Sequence, residues 1–218
     1  DTIYNISVAA LCGDTSLWIS TQTRTACGEQ TLPFTQTFED YGNEFPSCWT
    51  ITEQQGSWST YPSMYNEASG AHSGTHSIMY YLYYGNQSIA SPRLYQPINT
   101  LETAFFVSSE SSTPVQMVVG FITNLDSVQN MMPIDTLTIT GESYQEYIVS
   151  ARSLQSTDMG YFVYRILQPS DYNYSYVYID DIIATYSYQL GLFYGVGHWN
   201  SWFGAMIYLR KRTLYPLQ

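Results

Sequence analysis

Hydrophobic and polar residues alternate with a period of two along most of the chain, in short runs that end at clusters of glycine, proline, asparagine or aspartate. Such alternation predicts β-strands with one buried face, and the main part of the chain keeps no helical period over about ten residues. We therefore expect an all-β fold, an antiparallel β-sandwich of jelly-roll type, with little helix. The predicted strands of the main domain are 77–84, 104–109, 115–122, 136–140, 144–149 and 161–167.

The late run 174–183 carries two adjacent acidic residues inside an apolar and tyrosine-rich strand pattern. Alternation places Asp181 on the same face as Val177 and Ile179, which predicts an aspartate on the buried face. A buried carboxylate is costly unless a cation or a set of hydrogen-bond donors compensates its charge. The alternative is that the strand ends at Ile179 and that Asp180 and Asp181 cap a turn.

The composition favours a β-rich acidic protein. Charged residues make up only 11% of the chain, against roughly 25% in ordinary soluble domains, and aromatic residues make up 17%. The formal net charge is −11, and three of the seven basic residues stand together at 210–212. Because such a surface repels phosphate backbones, we expect no nucleic-acid partner, whereas affinity for divalent cations fits the charge.

The two ends of the chain differ from its middle. Residues 2–12 and 17–26 predict two strands joined by the turn cluster 13–16, and two strands alone do not make a stable sheet. Residues 188–218 are rich in glycine and aromatic residues and then basic. A membrane anchor is one interpretation, but His198 and four glycines interrupt the apolar pattern, so we expect an atypical tail that offers the only membrane contact.

The N-terminal segment resembles the end of a fibronectin type III module. The resemblance rests on residues 4–12, 16–18 and 23–27, which match the last two strands of such a module. It implies that residues 1–27 form a C-terminal hairpin without the first five strands. It also implies neighbouring domains in a larger surface protein.

Three cysteines leave at least one without a partner inside the chain. We expect a disulfide between Cys27 and Cys48, which leaves Cys12 unpaired. That bond would close a loop of about 22 residues, a contribution of roughly 3 kcal/mol in the loop-entropy model. The alternative is that all three cysteines are reduced.

From residue 32 onward the sequence resembles the bacterial surface adhesin jelly rolls, the cleaved adhesin and choice-of-anchor J group, which are similar to MAM-type domains. The opening match is Leu-Pro-Phe-Thr-Gln-Thr-Phe-Glu-Asp at 32–40 and Phe-Pro-Ser-Cys-Trp at 45–49. The resemblance covers residues 31 to about 186, and we place the domain at 28–187. The further matching positions are Trp58, 69–74, 89–94 and 178–182.

This resemblance implies an extracellular or cell-surface domain that binds a host protein or a glycan without catalysis. It also implies a structural Ca²⁺ shared by Glu39 and Asp181, with Asp40 and Asp180 as second choices. Ca²⁺ takes six to eight oxygen ligands, so main-chain oxygens of the loop 69–74 would complete the shell. The alternative is a solvated acidic edge that holds no metal.

Other chemistries have less support in the sequence. His72 and His76 are four residues apart, which on a strand means about 13 Å, too far for one zinc ion. The chain has no Gly-x-Ser-x-Gly elbow and no cysteine with a histidine in a suitable context, so we expect no hydrolase. The competing function is a glycoside hydrolase or peptidase on the same sandwich, or an accessory module of a larger secreted enzyme, which a pair of carboxylates in a cleft would favour.

Aromatic residues supply the candidate ligand-binding surface. Trp58, Tyr61 and Tyr65 lie in a loop-like stretch where exposed rings would stack on sugars or anchor a protein partner. Trp58 also matches a family tryptophan that packs in the core, so packing is its alternative role. The tyrosines in 79–84 and 172–178 are expected to pair across neighbouring strands.

Overall fold

The computed structural model describes residues 3–187, apart from residues 13, 16, 25–26, 29, 55–60, 84 and 170–173. Asp1–Ser187 form one compact unit, and the tail, residues 188–218, lies outside the described residues. The expected membrane contact of the tail therefore stays a prediction. Among the residues that the structure describes, no helix has the length and apolar character needed to cross a membrane.

Antiparallel β-strands make up the described part of the chain, together with short 3-10 turns, and they confirm the predicted all-β class. The strands are numbered in chain order. They are β1 (Ile3–Val8), β2 (Leu11–Cys12), β3 (Asp14–Thr15), β4 (Ile19–Arg24), β5 (Phe34–Gln36), β6 (Thr50–Glu53), β7 (Ser63–Asn66), β8 (His76–Tyr81), β9 (Gln87–Ala90), β10 (Leu101–Ser109), β11 (Val115–Ile122), β12 (Met132–Ile139), β13 (Gln145–Ser150), β14 (Tyr161–Ile166) and β15 (Tyr176–Tyr186).

Two sheets form the jelly roll. One has the order β13-β10-β15-β8-β7, with β5 also paired to β15, and the other has the order β12-β11-β14-β9-β6. The six strands predicted in the main domain all occur, with ends shifted by a few residues. The strand through the two aspartates continues to Tyr186, so the alternative in which it ends at Ile179 is wrong.

The core lies between the two sheets and is rich in aromatic side chains. Tyr80 and Tyr164 are fully buried, and the Tyr80 hydroxyl donates to the Tyr164 carbonyl at 3.1 Å. The Tyr164 hydroxyl in turn lies 2.6 Å from the Thr103 hydroxyl. Because both phenols have partners, the large rings are buried without an unmade hydrogen bond.

The N-terminal segment forms the expected hairpin, in which β1 pairs with β4 in antiparallel register. A disulfide joins Cys27, just after this hairpin, to Cys48 beside the core residue Trp49. It is the pair that we expected from the sequence. The side chain of Cys12 lies outside the described residues.

Candidate functional site

The sheet topology brings Glu39, Asp180 and Asp181 to one place. Along one edge of β15, β8 pairs with the stretch that ends at Ile179, and β5 pairs with the stretch that starts at Ile182. Asp180 and Asp181 occupy the gap between these two neighbours. Glu39 follows the end of β5, and the loop 72–75 leads directly into β8, so both reach the same gap.

A β-bulge places the two aspartates on the same side of the strand. The pairing of β10 with β15 shifts here, so that Asp181 and Ile182 lie opposite Phe105 alone. Asp181 adopts a φ of 47°, in the left-handed region that aspartate tolerates better than most residues. The predicted alternation is therefore wrong from Asp181 onward: Ile182, not Asp181, enters the core. Asp180 keeps the face of Tyr178 that alternation gives it, and it is the fully buried aspartate because His72 and Ser73 pack on it there.

Backbone N–H groups compensate the charge of Asp180. Its Oδ2 accepts hydrogen bonds from the amides of His72 at 2.9 Å and Ser73 at 3.1 Å, and its Oδ1 accepts one from the amide of Asp181 at 2.7 Å. Burial raises the pKa of Asp180 to about 7, with a further upward contribution from the neighbouring Asp181 carboxylate and opposing contributions from the backbone donors. The donors therefore hold this carboxylate without fully offsetting its burial.

Asp181 binds the side chains of the same two loop residues. Its Oδ1 accepts from the Ser73 hydroxyl at 2.9 Å, and its Oδ2 lies 2.6 Å from Nδ1 of His72. The His72 ring is stacked on Phe106, with 3.6 Å between the ring centroids. Consecutive aspartates thus fix both the backbone and the side chains of one short stretch of loop.

Glu39 holds the other end of that loop in the same manner. Its Oε1 accepts from the amides of Thr75 at 3.0 Å and His76 at 2.8 Å. Its Oε2 lies 3.3 Å from the Thr75 hydroxyl and 3.1 Å from Nδ1 of His76. Partial burial raises the pKa of Glu39, but the hydrogen bonds from His76 and Thr75 outweigh it and lower the pKa below its usual value.

We call Glu39, Asp180 and Asp181 with the loop 72–76 the carboxylate clamp. Three of the four predicted metal residues therefore meet on one five-residue segment, while Asp40 lies beside Glu39 and is exposed. The two histidines bind different carboxylates at opposite ends of the loop. Sequence reasoning missed the loop donors Ser73 and Thr75, because only the fold shows which carboxylates they face.

The side chains of the clamp alone do not supply the ligand set of a calcium ion. Within the described residues, no three His, Cys, Asp or Glu side chains are grouped so that they could hold a metal ion. A calcium ion here would therefore take several ligands from main-chain carbonyls, as Ca²⁺ commonly does. The Gly70 carbonyl already accepts from Ser77 at 2.6 Å and Tyr144 at 2.7 Å. Burial raises the pKa of Asp180 to about 7, so a nearby cation would favour its ionised form.

A second feature of the same sheet is a continuous group of tyrosine rings on its outer face. Tyr81 pairs with Tyr176 in register, with ring centroids 5.1 Å apart. Tyr83 is stacked on Tyr174 at 4.5 Å, and Tyr174 is 69% exposed. We call this group the tyrosine surface: Tyr61, Tyr65, Tyr81, Tyr83, Tyr174, Tyr176 and Tyr178. Tyr178 belongs to it as a buried ring beneath its neighbours, at 5% exposure.

Two of the three predicted ligand-binding residues, Tyr61 and Tyr65, belong to the tyrosine surface. Tyr61 contacts Tyr81 at 5.4 Å and Tyr176 at 6.2 Å, and Tyr65 contacts Tyr178 at 5.1 Å. Trp58 lies outside the described residues. The sequence predicted the cross-strand pairing of the other tyrosines but gave no sign that they form one surface with Tyr61 and Tyr65.

Gly70 connects the tyrosine surface to the carboxylate clamp. A Cβ atom at this position would lie 2.4 Å from Cε1 of Tyr65 and 2.9 Å from Cε1 of Tyr178. Its carbonyl is fixed by two hydroxyl groups, and the chain then runs directly into the loop 72–76. The clamp therefore holds the segment against which one end of the tyrosine surface packs.

Comparison with known proteins shows the fold and no closer relationship. No family model matches the chain, and no curated protein matches it in sequence. The K1 cleaved adhesin domain of Lys-gingipain from Porphyromonas gingivalis is similar in structure, with a TM-score of 0.56, 12% identity, and coverage of 71% of this chain and 98% of that domain. For the K2 cleaved adhesin domain of Lys-gingipain the values are 0.54, 16%, 70% and 98%. The chain thus has the fold of these domains, as the sequence resemblance implied.

Replacing Gly74 by alanine tests the contact between the loop and Glu39. Its φ is +62°, and an added Cβ would lie 2.3 Å from Cδ of Glu39. Gly42 is the matched control, because its φ is +56° with nothing within 4 Å of the added atom. We expect Gly42→Ala to cost about 1–3 kcal/mol for its strained backbone and Gly74→Ala to cost about 1–3 kcal/mol more, measured by urea denaturation.

In a Glu39→Ala background, the extra cost of Gly74→Ala should disappear, because the clashing carboxyl group is gone. Equal costs for the two alanines in the wild-type background would contradict this close approach.

The stability of the metal-free protein should fall as the pH rises from about 4 to about 7. The folded state binds the Asp180 proton more tightly than the unfolded state, because the pKa is raised from 3.8 to about 7. The free energy of unfolding is therefore highest below the pKa of the unfolded state. It falls as the pH rises from that pKa to the pKa of the folded state, by about 1.4 kcal/mol for each unit of difference between the two. Urea denaturation in chelator should show this loss in the wild type relative to Asp180→Asn. Parallel pH profiles for the two proteins would contradict the raised pKa.

Proposed function

We propose that the chain is a calcium-stabilised binding domain of a secreted or cell-surface protein, which holds a host protein or a glycan without chemical change. The observation that carries the proposal is the tyrosine surface, seven rings that follow one another across the outer face of a single sheet. Rings in such an array are rigid and amphipathic, which suits them to stack on sugars or to anchor a protein partner.

The surroundings of the tyrosine surface favour uncharged or basic ligands. The Tyr178 hydroxyl donates to Glu110 at 2.8 Å, and the Tyr65 hydroxyl donates to Glu67 at 3.2 Å. Acidic groups therefore border the rings, and the whole chain carries a net charge of −11. Sulfated or sialylated glycans would be repelled, whereas neutral sugars and basic protein surfaces would be accepted.

The names of the two structurally similar domains also support a binding role. The two Lys-gingipain domains are named adhesin domains, and we propose that this chain likewise serves adhesion. We further propose that residues 28–187 are the binding domain and that residues 1–27 belong to a neighbouring fibronectin type III-like module. Such an arrangement would place the domain within a modular extracellular protein.

We propose calcium at the carboxylate clamp, held by Glu39 and Asp181 with Asp180 beside them. Bound Ca²⁺ would neutralise charge that the loop donors compensate only in part. The protein residues keep the same roles in both states: Glu39 fixes the loop at Thr75 and His76, and the aspartates fix it at His72 and Ser73. Both oxygens of Glu39 and of Asp181 engage the loop, and Asp180 engages it with Oδ2 while its Oδ1 accepts from the Asp181 amide. Such fully bonded carboxylates are better suited to hold structure than to attack a substrate.

Removal of calcium should lower the thermal midpoint, and its return should restore it. An ion present at about 100 times its dissociation constant stabilises the folded state by about 2.7 kcal/mol, or about 5–10 °C for a chain of this length. Glu39→Gln and Asp181→Asn should each abolish the response, whereas Asp135→Asn, at an exposed aspartate on β12, should retain it. An unchanged wild-type midpoint in chelator and in Ca²⁺ would remove the ion from the proposal.

Loss of single rings from the tyrosine surface should weaken ligand binding. Arrays of neutral glycans, acidic glycans and purified matrix proteins can be probed with the labelled full chain. We expect Tyr81→Ala and Tyr176→Ala each to weaken binding by at least about tenfold, or about 1.4 kcal/mol. Tyr186→Ala is the control, since this tyrosine is 41% exposed at the far end of the same strand.

Thermal midpoints of the three variants should confirm that each is folded. Equal losses in all three variants, or no ligand on any array, would contradict a binding role for this surface and favour a structural spacer.

A further inference from the structure

Two rings at one end of the tyrosine surface, those of Tyr83 and Tyr174, belong to residues that lie opposite each other across neighbouring strands. The antiparallel pairing of β8 with β15 continues beyond the ends of both strands, because the Leu82 amide donates to the Ser175 carbonyl at 3.0 Å. The next opposed residues in this register are Tyr83 and Tyr174. Directly opposed side chains on one face of a sheet have Cβ atoms about 4.5–5.5 Å apart, so the backbone itself sets the two phenol rings side by side.

These two rings are stacked and nearly parallel, with centroids 4.5 Å apart and an angle of 17° between their planes. Within the tyrosine surface this pair has both the shortest centroid distance and the smallest angle. The next stacked pair, Tyr81 with Tyr176, has values of 5.1 Å and 28°. Rings stacked in this manner are in van der Waals contact, so ring carbons of Tyr83 and Tyr174 meet without any change of the backbone.

The pair is also accessible to a reagent in solution. Tyr174 is 69% exposed, more than any other tyrosine that the structure describes. The other six rings of the tyrosine surface are half-buried or buried. A reagent that attacks phenols therefore reaches Tyr174 first, and Tyr83 is the ring stacked on it.

We propose that Tyr83 and Tyr174 are a modification site, at which a haem peroxidase with hydrogen peroxide joins the two rings as dityrosine. Each phenol gives one electron to the oxidant and its hydroxyl proton to water, which leaves two phenoxyl radicals. A carbon–carbon bond then forms between the ring positions ortho to the two oxygens. The hydrogens of these two carbons move to the phenol oxygens, which restores both aromatic rings. The pair loses two electrons and two protons in all, and one hydrogen peroxide takes them up and becomes two water molecules.

The new bond would join the segment that follows β8 to the segment that precedes β15. Both segments border the tyrosine surface, so the bond would hold the end of this surface that lies away from the carboxylate clamp. A covalent link between residues distant in sequence restricts the unfolded chain, and the oxidised protein should therefore have a higher thermal midpoint.

Peptide mapping by mass spectrometry tests this proposal on the full chain, after treatment of the folded protein in dilute solution with a haem peroxidase and hydrogen peroxide. The wild type should acquire the fluorescence of dityrosine and remain a monomer on a denaturing gel. It should give one dominant cross-linked pair of peptides, which contains Tyr83 and Tyr174 and is lighter than the two separate peptides by two hydrogen atoms. Treatment in urea should abolish the preference for this pair, because the register of β8 and β15 is then lost.

Tyr83→Phe and Tyr174→Phe should each abolish this cross-link, because phenylalanine keeps the ring but lacks the hydroxyl group from which the phenoxyl radical forms. Tyr186→Phe is the matched control, at a tyrosine that is 41% exposed, and it should keep the cross-link. The thermal midpoint of each variant before oxidation should confirm that it is folded.

Covalent dimers in place of an internal bond would overturn the proposal. So would a dominant cross-link between other residues, such as Tyr81 and Tyr176, or an unaltered cross-link yield in both phenylalanine variants of the pair. None of these outcomes bears on the proposed ligand or on calcium, because the oxidation is carried out in the absence of both.

Discussion

The carboxylate of Asp180 has no exposed surface, and the conformation of the loop 72–76 depends on this buried group. Such a group must either take up a proton or receive donors, because an uncompensated charge in the interior is very costly. The loop before β8 supplies these donors from its own backbone, at His72 and Ser73. The loop conformation and the ionised form of the aspartate are therefore linked, because the loop amides stabilise the charge of Asp180.

The same constraint explains why residues from both ends of the domain meet. The last strand has two partners along one edge, β5 and β8, and the bulge at Asp181 falls between them. Glu39 follows the end of β5 and accepts hydrogen bonds from the loop amides of Thr75 and His76. Since the loop continues back to Gly70, which packs beneath Tyr65, the clamp also supports one end of the tyrosine surface.

Strong period-two runs made the fold class and most long strands predictable from the sequence, because alternation over six or more residues is typical of half-buried strands and rare in helices. The four short strands β5, β6, β7 and β9 lacked such runs, and all four residues of β9 are buried, so no alternation marks it. The bulge moved Asp181 and Ile182 off the faces that alternation assigns to them, because one inserted residue moves every later side chain to the other face. The burial of Asp180 by the loop at His72 and Ser73 depends on tertiary structure that periodicity does not report. The approach of Glu39 to the aspartates followed from a resemblance, since periodicity says nothing about distant residues, and the contact of Gly70 with the tyrosines needed coordinates.

Hydrogen exchange of the loop amides tests the central claim most directly. The amides of His72, Ser73, Thr75 and His76 donate to Asp180 or Glu39, although His72 and Thr75 are exposed residues of a surface loop. In the calcium-free protein, these four amides should exchange only through large-scale opening, with protection comparable to that of the central strands. Exchange at the rates of an unstructured surface loop would show that the carboxylates do not hold the loop.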